Sequence, residues 1–133
     1  MIAIDTSALV AIIFAEPERE AFKAAIRNAD KALISAVSVV EARMVVYRRR
    51  GEGALGALDE ILGLPMFEIV APEASELSIA HAAFVTYGKG SGHPAGLNFG
   101  DLFSYALAKA RGAPLLFKGE DFRRTDIEPA AGL

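Results

Sequence analysis

Four apolar runs of strand length, MIAI (1–4), ALISA (32–36), MFEIV (66–70) and LLF (115–117), recur along the chain with helix-like stretches between them. Alternation of this kind leaves few folds open, because strands joined by helical crossovers run parallel and a parallel sheet is covered on both faces. The helical stretches carry their own punctuation. Thr6 and Ser7 suit the cap of a helix over ALVAIIFA, which Pro17 interrupts, and EREAFKAAIRNA sets Ala, Phe and Ile at helical spacing. Ser35 or Ser38 caps VSVVEARMVVYRRRG, whose three arginines fall in the last turn, where the helix dipole favours cations, just ahead of Gly51. A shorter helix is expected near 54–63, another from Pro72 to Gly88, and a last one over FGDLFSYALAKARG with Asn98 as its cap. Between the last two, GKGSGHPAG holds four glycines and a proline in nine residues and reads as a mobile loop.

The expected fold class is therefore α/β, a mostly parallel sheet between two helical layers. With 133 residues, 53% of them hydrophobic, the chain has enough apolar material for one sizeable core, and a single domain over 1–133 is expected. A net charge of -3 argues against binding nucleic acid through overall charge but leaves room for a local basic patch. The absence of cysteine excludes disulfides and thiolate metal sites. The apolar start lacks a basic leading region, carries Asp5 in its middle and meets Glu16 and Pro17 too early for a membrane span, so a cytoplasmic protein without a membrane anchor is expected.

In open parallel sheets ligands bind beyond the carboxyl ends of the strands. Asp5 follows the first strand, Glu41 lies early in the helix after the second, Asp101 falls in the first turn of a helix, and Asp121 follows the last strand. Each has a plainer reading as well: Asp101 complements a helix dipole, Glu41 suits a solvated helix face, and Asp121 suits a turn. Asp5 is harder to explain that way, since it interrupts an apolar stretch where an unpaired carboxylate is costly. Carboxylates gathered together repel, so a cluster of them requires a divalent cation or raised pKa values. Oxygen-only ligands favour Mg²⁺ or Mn²⁺, and such an ion beside a phosphodiester suits hydrolysis, with a second ion roughly 3.5 to 4 Å away to stabilise the leaving oxygen.

MIAIDTSALVAI, VSVVEA and GLNFGDLFSYALAKARGAPLLFKGEDFRRTDI resemble, in order and over nearly the whole chain, the successive motifs of PIN-domain ribonucleases, specifically the VapC toxins of bacterial toxin–antitoxin pairs; the block 97–127 is the most specific. The resemblance implies a three-layer α/β/α PIN-like domain and Mg²⁺- or Mn²⁺-dependent cleavage of RNA. It carries metal-site and catalytic roles onto Asp5, Glu41, Asp101 and Asp121. Asp5 and Asp101 would be the principal ligands, Glu41 a ligand or water-orienting base, and Asp121 the holder of a second ion, a role Glu120 would share. Thr6 and Ser7 match the polar pair after the first acid, where a hydroxyl would bond Asp5 or a metal water. The resemblance also implies a VapB-like antitoxin whose C-terminal segment covers the cleft, and a homodimer. Lys89, His93, Lys118, Arg123 and Arg124 are candidate RNA contacts, although a solvated surface is the plainer role for each. His81 reads as a packed or surface histidine. Phe99, Phe103 and Tyr105 read as core or dimer contacts, with Phe99 near enough to the site to stack a base.

Two other functions call for similar residues. A nuclease of the same fold acting in RNA processing differs from a toxin in its genetic neighbourhood more than in its residues. A phosphoacceptor receiver-like module also gathers acids and a lysine at strand ends, but it wants adjacent acids after the first strand and an aspartate after the third. Here Asp5 is followed by Thr6 and Ser7, and MFEIV runs into Ala71 and Pro72.

Overall fold

The computed structural model describes residues 1–130; the last three residues of the expected domain, 131–133, lie outside the described residues. Four strands, β1 (Ile2–Ile4), β2 (Ala32–Ser35), β3 (Phe67–Val70) and β4 (Leu115–Leu116), alternate with six helices: α1 (Thr6–Ile13), α2 (Arg19–Arg27), α3 (Ala36–Arg50), α4 (Leu55–Leu62), α5 (Ala74–Tyr87) and α6 (Phe99–Arg111). The sheet order is β3-β2-β1-β4, and every pairing is parallel, as the alternation required.

Period-two geometry explains why the inner strands read as unbroken apolar runs. Ala3, Leu33 and Leu115 point into a core shared with Ala80 and Ala83 of α5 and with Tyr105 and Leu107 of α6. Ile4, Ile34 and Leu116, one residue further along each strand, point into a second core with Leu9, Ile12, Phe22, Ile26, Ala42 and Leu58 from α1 to α4. Two apolar faces need two covers, and the result is a three-layer α/β/α sandwich. β3 is one edge of the sheet: its Glu68 and Ile69 are exposed, and Glu68 pairs with Lys31 at 3.8 Å, a charge on a strand with a neighbour on one side only.

Two expectations need correction. The cap of α1 is neither Thr6 nor Ser7 but Asp5, whose backbone is extended and whose carboxylate accepts from the Ser7 backbone N–H at 3.0 Å. An aspartate caps at least as well as a hydroxyl, and here the same side chain ends the strand and starts the helix. The glycine-rich segment is not loose. Lys89 N–H donates to the Leu97 carbonyl and Leu97 N–H to that of Tyr87, both at 2.9 Å, while Ala95 and Leu97 are buried. His93 lies edge-on to Tyr87 at 4.9 Å and accepts from Ala95 N–H through Nδ1, so the segment folds back onto the end of α5. Asn98, by contrast, caps α6 as its sequence indicates: its side chain accepts from Asp101 N–H at 2.9 Å, and Asp101 accepts from Asn98 N–H at 3.0 Å. Among the described residues no helix is long and apolar enough to cross a membrane.

Candidate metal and nucleic-acid site

Beyond the carboxyl ends of β1 and β4 lies a cleft of about 450 Å³ lined by Asp5, Glu41 and Asp101. Three local rules bring these acids together. Asp5 is the junction of β1 and α1, and Asp101 is fixed in the first turn of α6 by its reciprocal bond with Asn98. Glu41 projects from α3 on the stripe that also brings Val45 and Arg49, at intervals of four, to the cleft. The expected cluster thus has three of its four members in one cleft. Asp121 does not line it. It is exposed at the start of the 3₁₀ turn Phe122–Arg124, though near enough for its charge to be felt at Asp101. Glu120 is exposed beside it and faces Arg123 at 4.0 Å. A hollow of about 550 Å³ between Met1 and α2 is lined mainly by alanines, and its one acid, Asp30, is engaged by the N-terminal ammonium at 2.6 Å, so it offers little chemistry.

The electrostatics are those of a site short of cations. Burial pushes the Asp101 carboxyl up to about 7, and the charges of Asp5, Glu41 and Asp121 push the same way against the opposing Asn98 N–H. Burial likewise raises Glu41; the Thr6 hydroxyl works against this and Asp5 adds to it. That hydroxyl also donates to the Ser38 carbonyl at 3.0 Å, and its single hydrogen serves one acceptor at a time. Among the described residues, no three or more acids or histidines stand close enough together to hold a metal ion between them. An open arrangement is what mutual repulsion favours without a cation. It also suits Mg²⁺, which takes one or two carboxylates and keeps several waters. The donor set, oxygen throughout and with its charge uncompensated, therefore fits a hard divalent ion.

Asp5 is buried, and both of its oxygens are committed within the protein. Oδ2 accepts from the Ser7 hydroxyl at 2.6 Å and from its N–H, while Oδ1 accepts from the Ser104 hydroxyl at 2.5 Å. Ser104 is fully buried and lies 3.2 Å from the Ser38 hydroxyl, and Ser7 in turn accepts from Lys118 N–H at 3.0 Å. Sequence reading missed Ser104 and Ser38, although Ser104, three residues after Asp101 on α6, shares its face. Ser104→Ala leaves Asp5 Oδ1 without its donor. With Asp5 as a ligand of the ion, Mn²⁺ affinity measured by calorimetry would fall about tenfold, as is usual when a ligand's orienting partner is lost. Unchanged affinity would mean that Ser7 alone holds Asp5.

The candidate RNA contacts fare differently. Lys118 lines the cleft, but its ammonium sits between Glu16 and Glu18, 3.2 Å from each, and so is already neutralised. Arg123 lies over the Phe117 ring, and Arg124 donates to the Pro94 carbonyl at 3.2 Å. His81 is exposed on α5. Tyr105 is a buried brace that donates to Asp126 at 2.6 Å, whereas Phe99 is 71% exposed and touches Phe103 with ring centres 5.1 Å apart. The closeness of Gly100 to the site is another contact that sequence reading missed: a Cβ there would run into the tip of the Glu41 side chain.

Comparison with known proteins agrees with this geometry. The PIN domain family model matches residues 2–128. VapC ribonuclease Mb0640 of Mycobacterium bovis and ribonuclease VapC30 of Mycobacterium tuberculosis are each 49% identical over 128 residues, covering 96% of this chain and 97% of the relative. Ribonuclease VapC28 of Mycobacterium tuberculosis is 42% identical over 127 residues, 96% of each chain. Among solved structures, Mycobacterium tuberculosis VapC20, a Sarcin-Ricin loop cleaving toxin, superposes with a TM-score of 0.77 at 18% identity over 96% of both chains. VapBC2 from Rickettsia felis, bound to a DNA fragment from its promoter, gives 0.75 at 20% identity, with 97% of this chain and 96% of that one covered. These last two likenesses concern the fold. Carried by the family match and by identity along nearly its whole length, the chain belongs to the PIN domain family and, within it, to the VapC ribonucleases.

Proposed function

We propose that this protein is the toxin of a toxin–antitoxin pair and cuts RNA phosphodiester bonds with the help of Mg²⁺ or Mn²⁺. One observation carries the reading: Asp5 at the end of β1, Glu41 on α3 and Asp101 on α6, far apart in the chain, open onto one cleft in which burial, and after it the charge of Asp5, raises the Asp101 carboxyl to about 7. Asp5 and Asp101 would hold the ion, Glu41 would orient the attacking water or join the ligands, and Asp121, outside the cleft wall, would serve a second ion. When bound, the ion supplies Lewis-acid polarisation of the phosphate and a water acidic enough to attack near neutral pH. The chain's part is to keep Asp5 rigid through Ser7 and Ser104, to hold Asp101 at the mouth of α6 through Asn98, and to keep Glu41 in reach above Gly100.

A partner fits the same reading. Exposed Val40, Met44 and Phe99 border the cleft, and Leu77, Phe84 and Val85 on α5 are exposed as well. Apolar surface of this kind suits a VapB-like antitoxin and a homodimer contact, with the cytoplasm as the setting where RNA is met.

The test is to map cleavage ends in total RNA exposed to the purified protein with Mg²⁺, with Mn²⁺ and with a chelator. Discrete ends that vanish with the chelator are expected. Metal binding must displace the Asp101 proton, so below about pH 7 the metal-induced rise in melting temperature should shrink, by about tenfold in apparent affinity per pH unit, and above pH 7 it should level off. RNA left intact at millimolar metal would sink the nuclease reading. Growth unimpaired by confirmed expression without a partner would instead favour a processing enzyme.

A further inference from the structure

The helix dipole explains three arginines in the last turn of α3, yet the structure gives Arg49 a further setting. Arg48 and Arg50 share the dipole explanation; Arg49 alone of the three also lines the carboxylate cleft. Its guanidinium lies over the Phe14 ring, 5.1 Å from the centroid, with that of Arg50 at 5.0 Å from the same ring. Two like charges over one small ring repel each other, and an anion beside them relieves that repulsion. Lys118, the other cation lining the cleft, is held by Glu16 and Glu18, while among the described residues Arg49 makes no ion pair with any acid. A cleft whose acids await a divalent cation and whose one uncommitted guanidinium stands at its rim has the charge pattern of a site for a polyanion.

Resting on the nuclease reading, we propose that Arg49, seated on Phe14 at the rim of the cleft, is a contact for an RNA phosphate beside the one being cut. The geometry selects a neighbouring phosphate over the scissile one. Arg49 follows Glu41 by two helical turns, about 12 Å along the axis of α3, so its head group reaches the flank of the carboxylates and not their centre. A planar guanidinium lying over a ring offers two parallel bonds to phosphate oxygens, which an ammonium cannot reproduce.

The experiment uses steady-state cleavage of a labelled RNA fragment carrying a site mapped for the parent protein, over a range of salt. Arg49→Gln should raise KM about tenfold with kcat nearly unchanged, and should flatten the dependence of log kcat/KM on log salt by about 0.7, the loss of one phosphate contact on a single strand. Arg49→Lys should restore the salt slope but only part of the KM. Arg50→Gln, which leaves the cleft wall intact, should stay within twofold of the parent on both measures. The assignment is overturned if Arg49→Gln matches the parent, or if Arg50→Gln loses as much as Arg49→Gln, which would mean diffuse charge in place of a site. In either case the parent's own cleavage leaves the nuclease reading standing. A parent that cuts no RNA removes both.

Discussion

Asp101→Asn should lower RNA cleavage by on the order of 10³-fold or more while raising the melting temperature of the metal-free protein at neutral and alkaline pH. The two effects have one cause. In the fold the Asp101 carboxyl is raised from 3.8 to about 7, first by burial and then by the charge of Asp5. The sign follows from proton binding. Between about pH 4 and 7 the folded protein holds a proton that the unfolded chain has released, so stability contributed by this group falls as pH climbs through that window and the full penalty is present above 7. Discounted for the partial exposure of Asp101, the penalty is about 1 to 3 kcal/mol. Asparagine removes it and keeps an oxygen for the Asn98 N–H, losing only the favourable meeting of charge with the helix N-terminus, about 0.5 kcal/mol. Relief wins, and the gain should appear as a rise of about 3 °C per kcal/mol above pH 7 that fades toward pH 4. Millimolar Mg²⁺ should close the gap from the other side, stabilising the parent and not the variant. A variant that melts below the parent at pH 8 without metal would mean that the three acids do not repel as described.

The same substitution at Asp5 is not equivalent, although both acids look alike in the sequence. Asp5 caps α1 and accepts from Ser7 and Ser104, so an amide NH₂ there must face a hydroxyl that had been donating. This difference marks how far the residues alone could be read. The parallel sheet, the Asn98 cap and the approach of Asp5, Glu41 and Asp101 to one cleft all follow from local patterns: apolar runs of strand length, cap residues, and acids at the junctions between elements. What stayed hidden depends on contacts between distant positions. Ser104 and Asp5 are 99 residues apart and meet only because α6 packs beside β1. Lys118 is held by Glu16 and Glu18, which the turn after α1 brings to it, and Arg49 lies over Phe14; neither contact is written in the neighbouring residues. The glycine-rich segment misled for a related reason. Composition registers the freedom of glycine but not the hydrogen bonds to Leu97 that close the segment.

Gly100→Ala should leave the protein folded, with stability near or slightly above the parent, while cutting activity about 10- to 100-fold. Gly100 is the second residue of α6 and is buried against α3, and an added Cβ would occupy the space now held by both oxygens of the Glu41 carboxylate. The atoms in its way belong to the tip of a flexible side chain, not to backbone, so the clash is resolved by turning Glu41 aside and not by parting the helices. Alanine meanwhile favours the helix over glycine by about 1 kcal/mol. Folding therefore loses little, but the displaced carboxylate would leave the place from which the proposed role requires it to orient water, and a misplacement of about 1 Å at a reacting centre costs as much as 10²-fold. Cleavage rate and melting temperature measured on the same preparation separate the two consequences. Comparison with Glu41→Gln then tells position from charge: if the seat of Glu41 matters, both variants lose activity and combining them loses little more, because each disables the same group. Full activity in Gly100→Ala would show instead that Glu41 works equally well from another rotamer, and that Asp5 and Asp101 alone define the centre.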